Sequence, residues 1–298
     1  MKRRVEVGGR TLTLSNLDKV FWPWEGFTKA DLIDYYLAVA EALLPHLRGR
    51  PLVVTRYPDG ILGKSFYQKD KGAYAPEWIE TFPFYTGHSQ RTIDFYHCHD
   101  AATLVWPANQ ACIELHPWLS KAVTPDFPDF AIFDLDPADG ATFADSVEIA
   151  FVVREVLAGA GLTCYPKTSG ATGLHLYLPI ANRYPYKAVA DFVGSVADAI
   201  HRLLPGKTTR ERAVAKRRGV YIDHLQNIKG KTIASVYSVR PRPGAPVSTP
   251  VTWDELEGLD ASRFNITTVP ARLGQLGDLF APVLERPQLL KSHVVARY

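Results

Sequence analysis

Cysteine is scarce in this 298-residue chain: three residues, Cys98, Cys112 and Cys164, lie far apart. An odd, scattered set builds no disulfide framework and fits a reducing compartment, so a cytoplasmic protein is expected. Long apolar runs are missing as well. No stretch approaches the ~18 uninterrupted apolar residues of a membrane span. The basic start, Met1-Lys-Arg-Arg-Val-Glu-Val, has no apolar segment of the secretory kind. Nor does one sign of charge dominate. Lys and Arg number 34 against 31 Asp and Glu, a net charge of +3, which excludes a strongly basic tail protein. With 46% hydrophobic and 22% charged residues, the chain has the composition of a folded globule and not of a disordered one. A chain of this size buries about three quarters of its unfolded surface, so a core needs no disulfide support.

Local patterning is richer than these totals. Cations gather from Arg210 to Arg218 (RERAVAKRR), and Lys229, Lys231, Arg240 and Arg242 follow. Such a cluster suits a polyanion, although a solvated face is the commoner meaning of a charge run. Thr28-Lys-Ala-Asp31 has the form of a capping box, and apolar residues at 32, 35, 36, 39, 43 and 47 follow at helical spacing, which predicts a helix from about Thr28 to Leu47. Pro51 to Arg56 reads as a strand ended by the turn residues Pro58-Asp-Gly60. Between Lys64 and His99, rings including Phe66, Tyr67 and Tyr74 alternate with Lys64, Lys69 and Lys71, a mixture that offers stacking surfaces and phosphate contacts.

The second half predicts a strand at Phe130 to Leu135, a helix at Phe143 to Gly159, strands at Thr163 to Lys167 and Leu174 to Ile180, and a helix at Tyr186 to Leu204. Short strands at Tyr221 to Asp223 and Ile233 to Val239 complete a split β-α-β order. A helix near Leu273 to Leu284 is expected last. The fold class is α+β, with helix-covered antiparallel or mixed sheets and no repeat.

In Phe130-Ala-Ile-Phe-Asp-Leu-Asp136 the strand period of two puts Asp134 and Asp136 on one face. Two carboxylates that close are costly unless protonated or neutralised, and hard oxygen donors suit Mg²⁺ or Mn²⁺. A third acid, Asp223, ends the apolar run Val220-Tyr-Ile, and a neighbouring strand would bring it beside the pair. Three such aspartates can hold two metals for in-line phosphoryl transfer. The competing reading is that Asp136-Pro137 ends a strand and Asp139-Gly140 makes a turn. Ser169-Gly-Ala-Thr-Gly-Leu-His175 joins two strands, and its glycines would let backbone N–H groups, Ser169 and His175 converge on an anion; the plainer reading is an ordinary hairpin turn.

Other chemistries lack their residues. The GKT endings at Gly206 and Gly230 are preceded, five residues earlier, by His201 and Leu225 where a phosphate-binding loop needs glycine. His97-Cys98-His99 has no second ligand pair at a customary spacing, and its alternate residues are expected to point apart, so no structural zinc is expected there. There is no H-E-x-x-H and no G-x-S-x-G.

Taken in order, Leu14 to Pro23, Arg56-Tyr-Pro-Asp-Gly60, Ser65-Phe-Tyr-Gln-Lys69, Glu114-Leu-His-Pro-Trp118, Phe133-Asp-Leu-Asp-Pro137, the Ser169 to His175 loop and Asp223-His-Leu-Gln-Asn227 resemble the polymerase domain of bacterial ligase D, in the archaeo-eukaryotic primase superfamily. The resemblance runs from Leu14 to about Arg286. It implies a single primase-polymerase domain over 1–298 with a recognition-motif-like catalytic half. Template and 5′-phosphate contacts would fall in about 1–127, the metal and nucleotide site in about 128–240, and a flank in 241–298. The implied activity is template-dependent addition of nucleotides, ribonucleotides by preference, to primer 3′ ends at gaps and double-strand breaks in non-homologous end joining. NTP or dNTP would be the substrate and Mn²⁺ or Mg²⁺ the cofactor. Asp134, Asp136 and Asp223 would hold the metals; His116, Ser169, His175 and Arg240 would contact the triphosphate; Lys19 and Lys29 would hold a downstream 5′-phosphate; and Arg56, Phe66, Tyr67 and Lys69 would follow the template. Gapped or broken DNA, Ku and an ATP-dependent DNA ligase are the implied partners. Several relatives carry a lysine where this chain has Thr172, and threonine cannot supply that charge. A non-catalytic DNA-end bridging module and a replicative primase are the alternatives; the first would not need the three aspartates, and the second commonly carries a zinc element.

Overall fold

The computed structural model describes residues 2–87 and 90–290. Two compact units share the chain: the first takes the segment through Trp118 with Thr232–Ser248 and Ser262–Asp278, the second Leu119–Lys231, Thr249–Ala261 and the segment from Leu279.

The first unit opens with two small antiparallel hairpins, β1 (Lys2–Val7) with β2 (Arg10–Ser15) and β3 (Val20–Trp22) with β4 (Phe27–Thr28). The expected long helix is two helices, α1 (Lys29–Ala38) and α2 (Ala40–Leu47), interrupted at Val39. Val39 leaves the helical region at φ −101° and ψ 3°, ending α1, while its carbonyl accepts the Leu43 N–H that starts α2; Pro45 inside α2 acts further along, at the Glu41 carbonyl. The capping box forms as expected: the Asp31 N–H donates to Thr28 Oγ1, and the Thr28 N–H donates to Asp31 Oδ2 at 2.7 Å.

A five-stranded sheet follows. It consists of β5 (Pro51–Arg56), β6 (Phe66–Gln68), β7 (Thr81–Thr86), β8 (Arg91–His97) and, after helix α3 (Ala101–Asn109), β9 (Cys112–Pro117). Its order is β6-β5-β8-β7, with β9 also paired to β5. Val53, Ile93, Phe95 and Trp118 form a buried cluster here, and Phe84 stacks on Trp118 at 5.2 Å. The segment expected as a strand at Ile233 to Val239 makes only isolated bridges, and it belongs to this unit. Tyr237 there has φ +62, a left-handed conformation that breaks strand geometry.

The second unit holds β10 (Phe130–Pro137), α4 (Phe143–Ala158), β11 (Tyr165–Thr168), β12 (Leu174–Pro179), α5 (Tyr186–Leu203), β13 (Thr208–Thr209) and β14 (Val220–Asp223). The sheet order is β11-β12-β10-β14-β13, antiparallel except for β13 with β14. The first strand is therefore central, between the third and the last long strand, as the split β-α-β pattern requires. Ala131, Phe133 and Leu135 of β10 are wholly buried, and so are Ile149, Ala150 and Val153 of α4 and Val189 and Val193 of α5. That burial frees the alternate face of β10 at its C-terminal end for acids. The last expected helix is again divided, into α6 (Val269–Leu276) and the single turn α7 (Pro282–Glu285), because Gly277 at φ +68 ends the first and Pro282 starts the second. No helix among the described residues is long and apolar enough to cross a membrane.

Candidate active site

Four directly opposed residues cross the second unit's sheet in one rank. Lys167 on β11 pairs with His175 on β12, His175 with Asp134 on β10, and Asp134 with Asp223 on β14. Directly opposed residues of a sheet share a face, so two acids and their basic neighbours meet there. Asp136 stands two residues along β10 on the same side, opposite Tyr221. All three aspartates are half-buried. Lys167 Nζ lies 2.8 Å from His175 Nδ1, and His175 Nε2 lies 3.3 Å from Asp134 Oδ1. An ammonium can only donate, so Nδ1 is the acceptor and the ring proton sits on Nε2, toward the acids. Asp223 also caps the short 3₁₀ turn His224–Asn227, accepting from the Leu225 N–H at 2.9 Å.

The loop between β11 and β12 is a tight hairpin. Ser169 Oγ accepts from the Ala171 and Gly173 N–H groups at 3.1 and 3.0 Å, so the hydroxyl organises the loop that was expected to offer those donors. Gly170 has φ +69. Gly173 has no room for a side chain: a Cβ would come 2.1 Å from the Leu135 carbonyl oxygen. The close approach fixes the loop against the strand that carries the acids.

His116 and Arg240 lie in the first unit, and a residue without an expected role joins them. Glu114, two positions before His116 on β9, accepts from Arg240 Nε at 2.8 Å and from the Tyr57 hydroxyl at 3.3 Å, and its Oε2 is 3.6 Å from His116 Nε2. Burial pushes the Glu114 carboxyl up, but His116, Arg240 and Thr55 together outweigh it and bring the pKa to about 2. Glu114 is thus an anion that holds Arg240 and lies beside His116, whose buried Nε2 makes no hydrogen bond.

Lys19 and Lys29 are not solvated surface lysines of the usual kind. Lys29 is buried and donates to the Asn109 carbonyl at 2.9 Å and Oδ1 at 3.1 Å; Lys19 contacts Asp59 Oδ1 at 2.6 Å. Burial, and then the charge of Lys19, lower the Lys29 pKa to about 8. The helix end beside them has no spare backbone donors. The Lys29 and Ala30 N–H groups already donate to Lys19 O and Leu17 O, and Asp31 N–H to the cap. Any anion is held here by ammonium groups.

The edge strand β6 presents Phe66 and Tyr67 outward, 47% and 67% exposed. Arg56 lies opposite Phe66 with its guanidinium 5.4 Å from that ring, fixed by Gln110 O at 2.8 Å and the Tyr74 hydroxyl at 2.7 Å. Tyr67 lies 5.9 Å from the His116 ring, and Lys69 is exposed.

The profile described as "LigD, primase-polymerase domain" matches residues 28–280. The chain belongs to the LigD primase-polymerase family. It is similar to the polymerase domain of Mycobacterium tuberculosis ligase D in complex with DNA, with a TM-score of 0.85 and 32% identity, covering 93% of this chain and 99% of that one. Among full-length LigD proteins, it is 34% identical to the multifunctional non-homologous end joining protein of Mycolicibacterium smegmatis over 91% of this chain and 36% of that protein. It is also 34% identical to the bifunctional protein of Bacillus subtilis, over 93% and 45%. The chain thus spans less than half of these LigD proteins. The α+β fold that the motifs implied is the one this chain shares with the ligase D polymerase domain.

Two residues that contact the candidate groups, one in each unit, had no role in the motif reading. Glu114 shares the strand face of His116 at a spacing of two, and Lys167 is a lysine inside a short strand between Pro166 and Thr168; both signals stand in the sequence.

Proposed function

We propose that this domain is a template-dependent nucleotidyltransferase that adds nucleotides, preferentially ribonucleotides, to primer 3′ ends at gaps and double-strand breaks in non-homologous end joining. The observation that carries this reading is the direct opposition of Asp134 and Asp223 with Asp136 beside them. The donors are all carboxylate oxygens, a set that fits Mn²⁺ or Mg²⁺. Ions held by these three residues would supply activation of the 3′-hydroxyl and neutralise charge on the departing pyrophosphate.

The chain's own groups do the positioning. His175, with Nδ1 engaged by Lys167, directs its Nε2 proton toward the acid rank, where a phosphate oxygen can accept it. Ser169 is assigned to the triphosphate with His175, and so are His116 and Arg240, the latter oriented by Glu114. Phe66 and Tyr67 offer stacking faces to template bases, while Arg56 and Lys69 supply cations. Lys19 and Lys29 form the pair for a downstream 5′-phosphate: two like charges, one of them desolvated, favour an anion. The DNA substrate draws support from the DNA-bound ligase D domain, and the repair role from the names of the full-length relatives. The ribonucleotide preference and Ku and an ATP-dependent ligase as partners rest on the family resemblance.

The test is extension of a labelled primer on a gapped duplex with Mn²⁺ or Mg²⁺, comparing NTPs with dNTPs. Templated addition, faster with NTPs, is expected. No addition with either metal, together with retained non-covalent bridging of duplex ends, would indicate the bridging module.

A further inference from the structure

We propose that Glu80, His97 and His99 form a binding site for a zinc-class divalent ion at the base of the β7–β8 hairpin. One ligand atom from each of the three lies within 4.8 Å of the other two. The hairpin assembles them: Glu80 immediately precedes β7, His97 ends β8, and the His97 N–H donates to the Glu80 carbonyl at 3.1 Å. The rings of His97 and His99 are not turned apart, as the sequence led one to expect. Their centroids are 4.5 Å apart with planes at 37°. Residues two apart along an extended chain share a side, and the one turned away is Cys98, which is buried.

Each donor is also prepared for a ligand. Glu80 Oε2 lies 3.1 Å from His97 Nδ1, near the ~3.3 Å that separates two donors across a tetrahedral ion with bonds of about 2.0–2.1 Å. Phe82 packs on the His97 ring at 4.5 Å and restrains its rotation. His99 Nδ1 is buried and has no hydrogen-bond partner, an arrangement that costs free energy unless something fills it. The other nitrogen of that ring, Nε2, faces Asp100 Oδ2 at 3.6 Å. At that separation the carboxylate is a charged neighbour of the ring and not its hydrogen-bond acceptor. Asp100 is itself fixed, accepting from the Thr103 N–H at 2.7 Å.

Two imidazole nitrogens and one carboxylate select zinc over Mg²⁺ or Ca²⁺, and three protein ligands leave a fourth position for water. On binding, the His97 ring proton passes from Nδ1 to Nε2, and the long 3.4 Å contact from the Gly49 N–H is given up. The ion would tie the hairpin base to the start of α3, whose cap is Asp100.

The test is Co²⁺ titration of the full chain with Mg²⁺ in large excess to occupy the aspartates. Intense visible absorption of the tetrahedral kind, saturating at one equivalent and bleached by Zn²⁺, is expected, together with a rise in Tm on adding Zn²⁺. His99→Ala and Glu80→Gln should each weaken Co²⁺ binding by at least the ~10–100-fold that loss of a supporting partner costs. Glu80 is mostly exposed, so its variant should keep the fold, as circular dichroism will show. Absence of the absorption, or equal binding by parent and both variants, would overturn the assignment.

Discussion

The ammonium of Lys167, wholly buried on β11, lies 2.8 Å from Nδ1 of His175 on the neighbouring strand. The contact fixes which imidazole nitrogen carries the proton, and so what His175 can offer beside Asp134. Lys167→Met keeps the volume and removes the donor. Nucleotide KM should rise roughly tenfold, the scale of one charge-assisted hydrogen bond, with the template affinity unchanged. The imidazole ¹⁵N shifts of His175 should report a changed tautomer; an unchanged tautomer with unchanged KM would remove Lys167 from the site.

Gly173→Ala should distort the Ser169 loop. The added methyl would sit 2.1 Å from the Leu135 oxygen, so either β12 or the acid-bearing end of β10 must shift. A loss of about 1–3 kcal/mol in stability by denaturant unfolding is expected, the usual cost of overpacking, together with weaker nucleotide use.

Lys29 gives the 5′-phosphate reading a pH dependence. Its pKa of about 8 keeps the ammonium charged below that pH and neutral above it. Preference for a 5′-phosphorylated over a 5′-hydroxyl gapped duplex, on the order of 1–3 kcal/mol, should therefore be full near pH 7 and decline as pH rises past 8. Lys29→Met with Lys19→Ala should abolish it. Folding stability moves the other way: between about 8 and the unfolded value of 10.5 the unfolded chain binds more protons, so this lysine's burial penalty is relieved as pH rises.

Much of the site was legible because strands have a strict period. Asp134 and Asp136 share a face by spacing alone, and a strand ending in Asp223 could be placed beside them from the β-α-β rhythm. What the spacing could not supply was partner identity across the sheet: that Lys167 opposes His175, or that Glu80, 17 positions before His97, returns to it through a hairpin. The helix at 28–47 read as continuous because Val39, where the backbone leaves the helical region, is itself one of the apolar positions of the pattern. The segment 233–239 read as a strand because its composition is β-like, yet Tyr237 adopts a backbone conformation that no strand allows. Burial of Lys29 was hidden for another reason: lysine at a first helical position is usually exposed, and only Asn109, eighty residues on, accounts for it.

Glu114 should make acid stability depend on one residue. Its folded pKa, about 2, is below the unfolded value of 4.5, so its contribution is complete above about 4.5 and is lost as pH falls toward 2. Glu114→Gln should destabilise the fold by on the order of 3 kcal/mol at pH 7, because Arg240 loses a buried partner. The gap between parent and variant should narrow in urea unfolding below pH 4.5. A pH-independent gap would mean that packing, not charge, is what Glu114 supplies.

The most direct test of the account is single-turnover extension of a primer on a gapped duplex by the parent and by Asp134→Asn, Asp136→Asn and Asp223→Asn, with DNA binding measured on the same samples. Each variant should lose at least ~10²–10³-fold in the rate of nucleotide addition, the scale of removing one preorganised electrostatic contact. DNA affinity should stay within a few-fold of the parent, since phosphate contacts elsewhere carry it. Extension at the parental rate by any of the three would contradict the assignment of these aspartates to the chemistry.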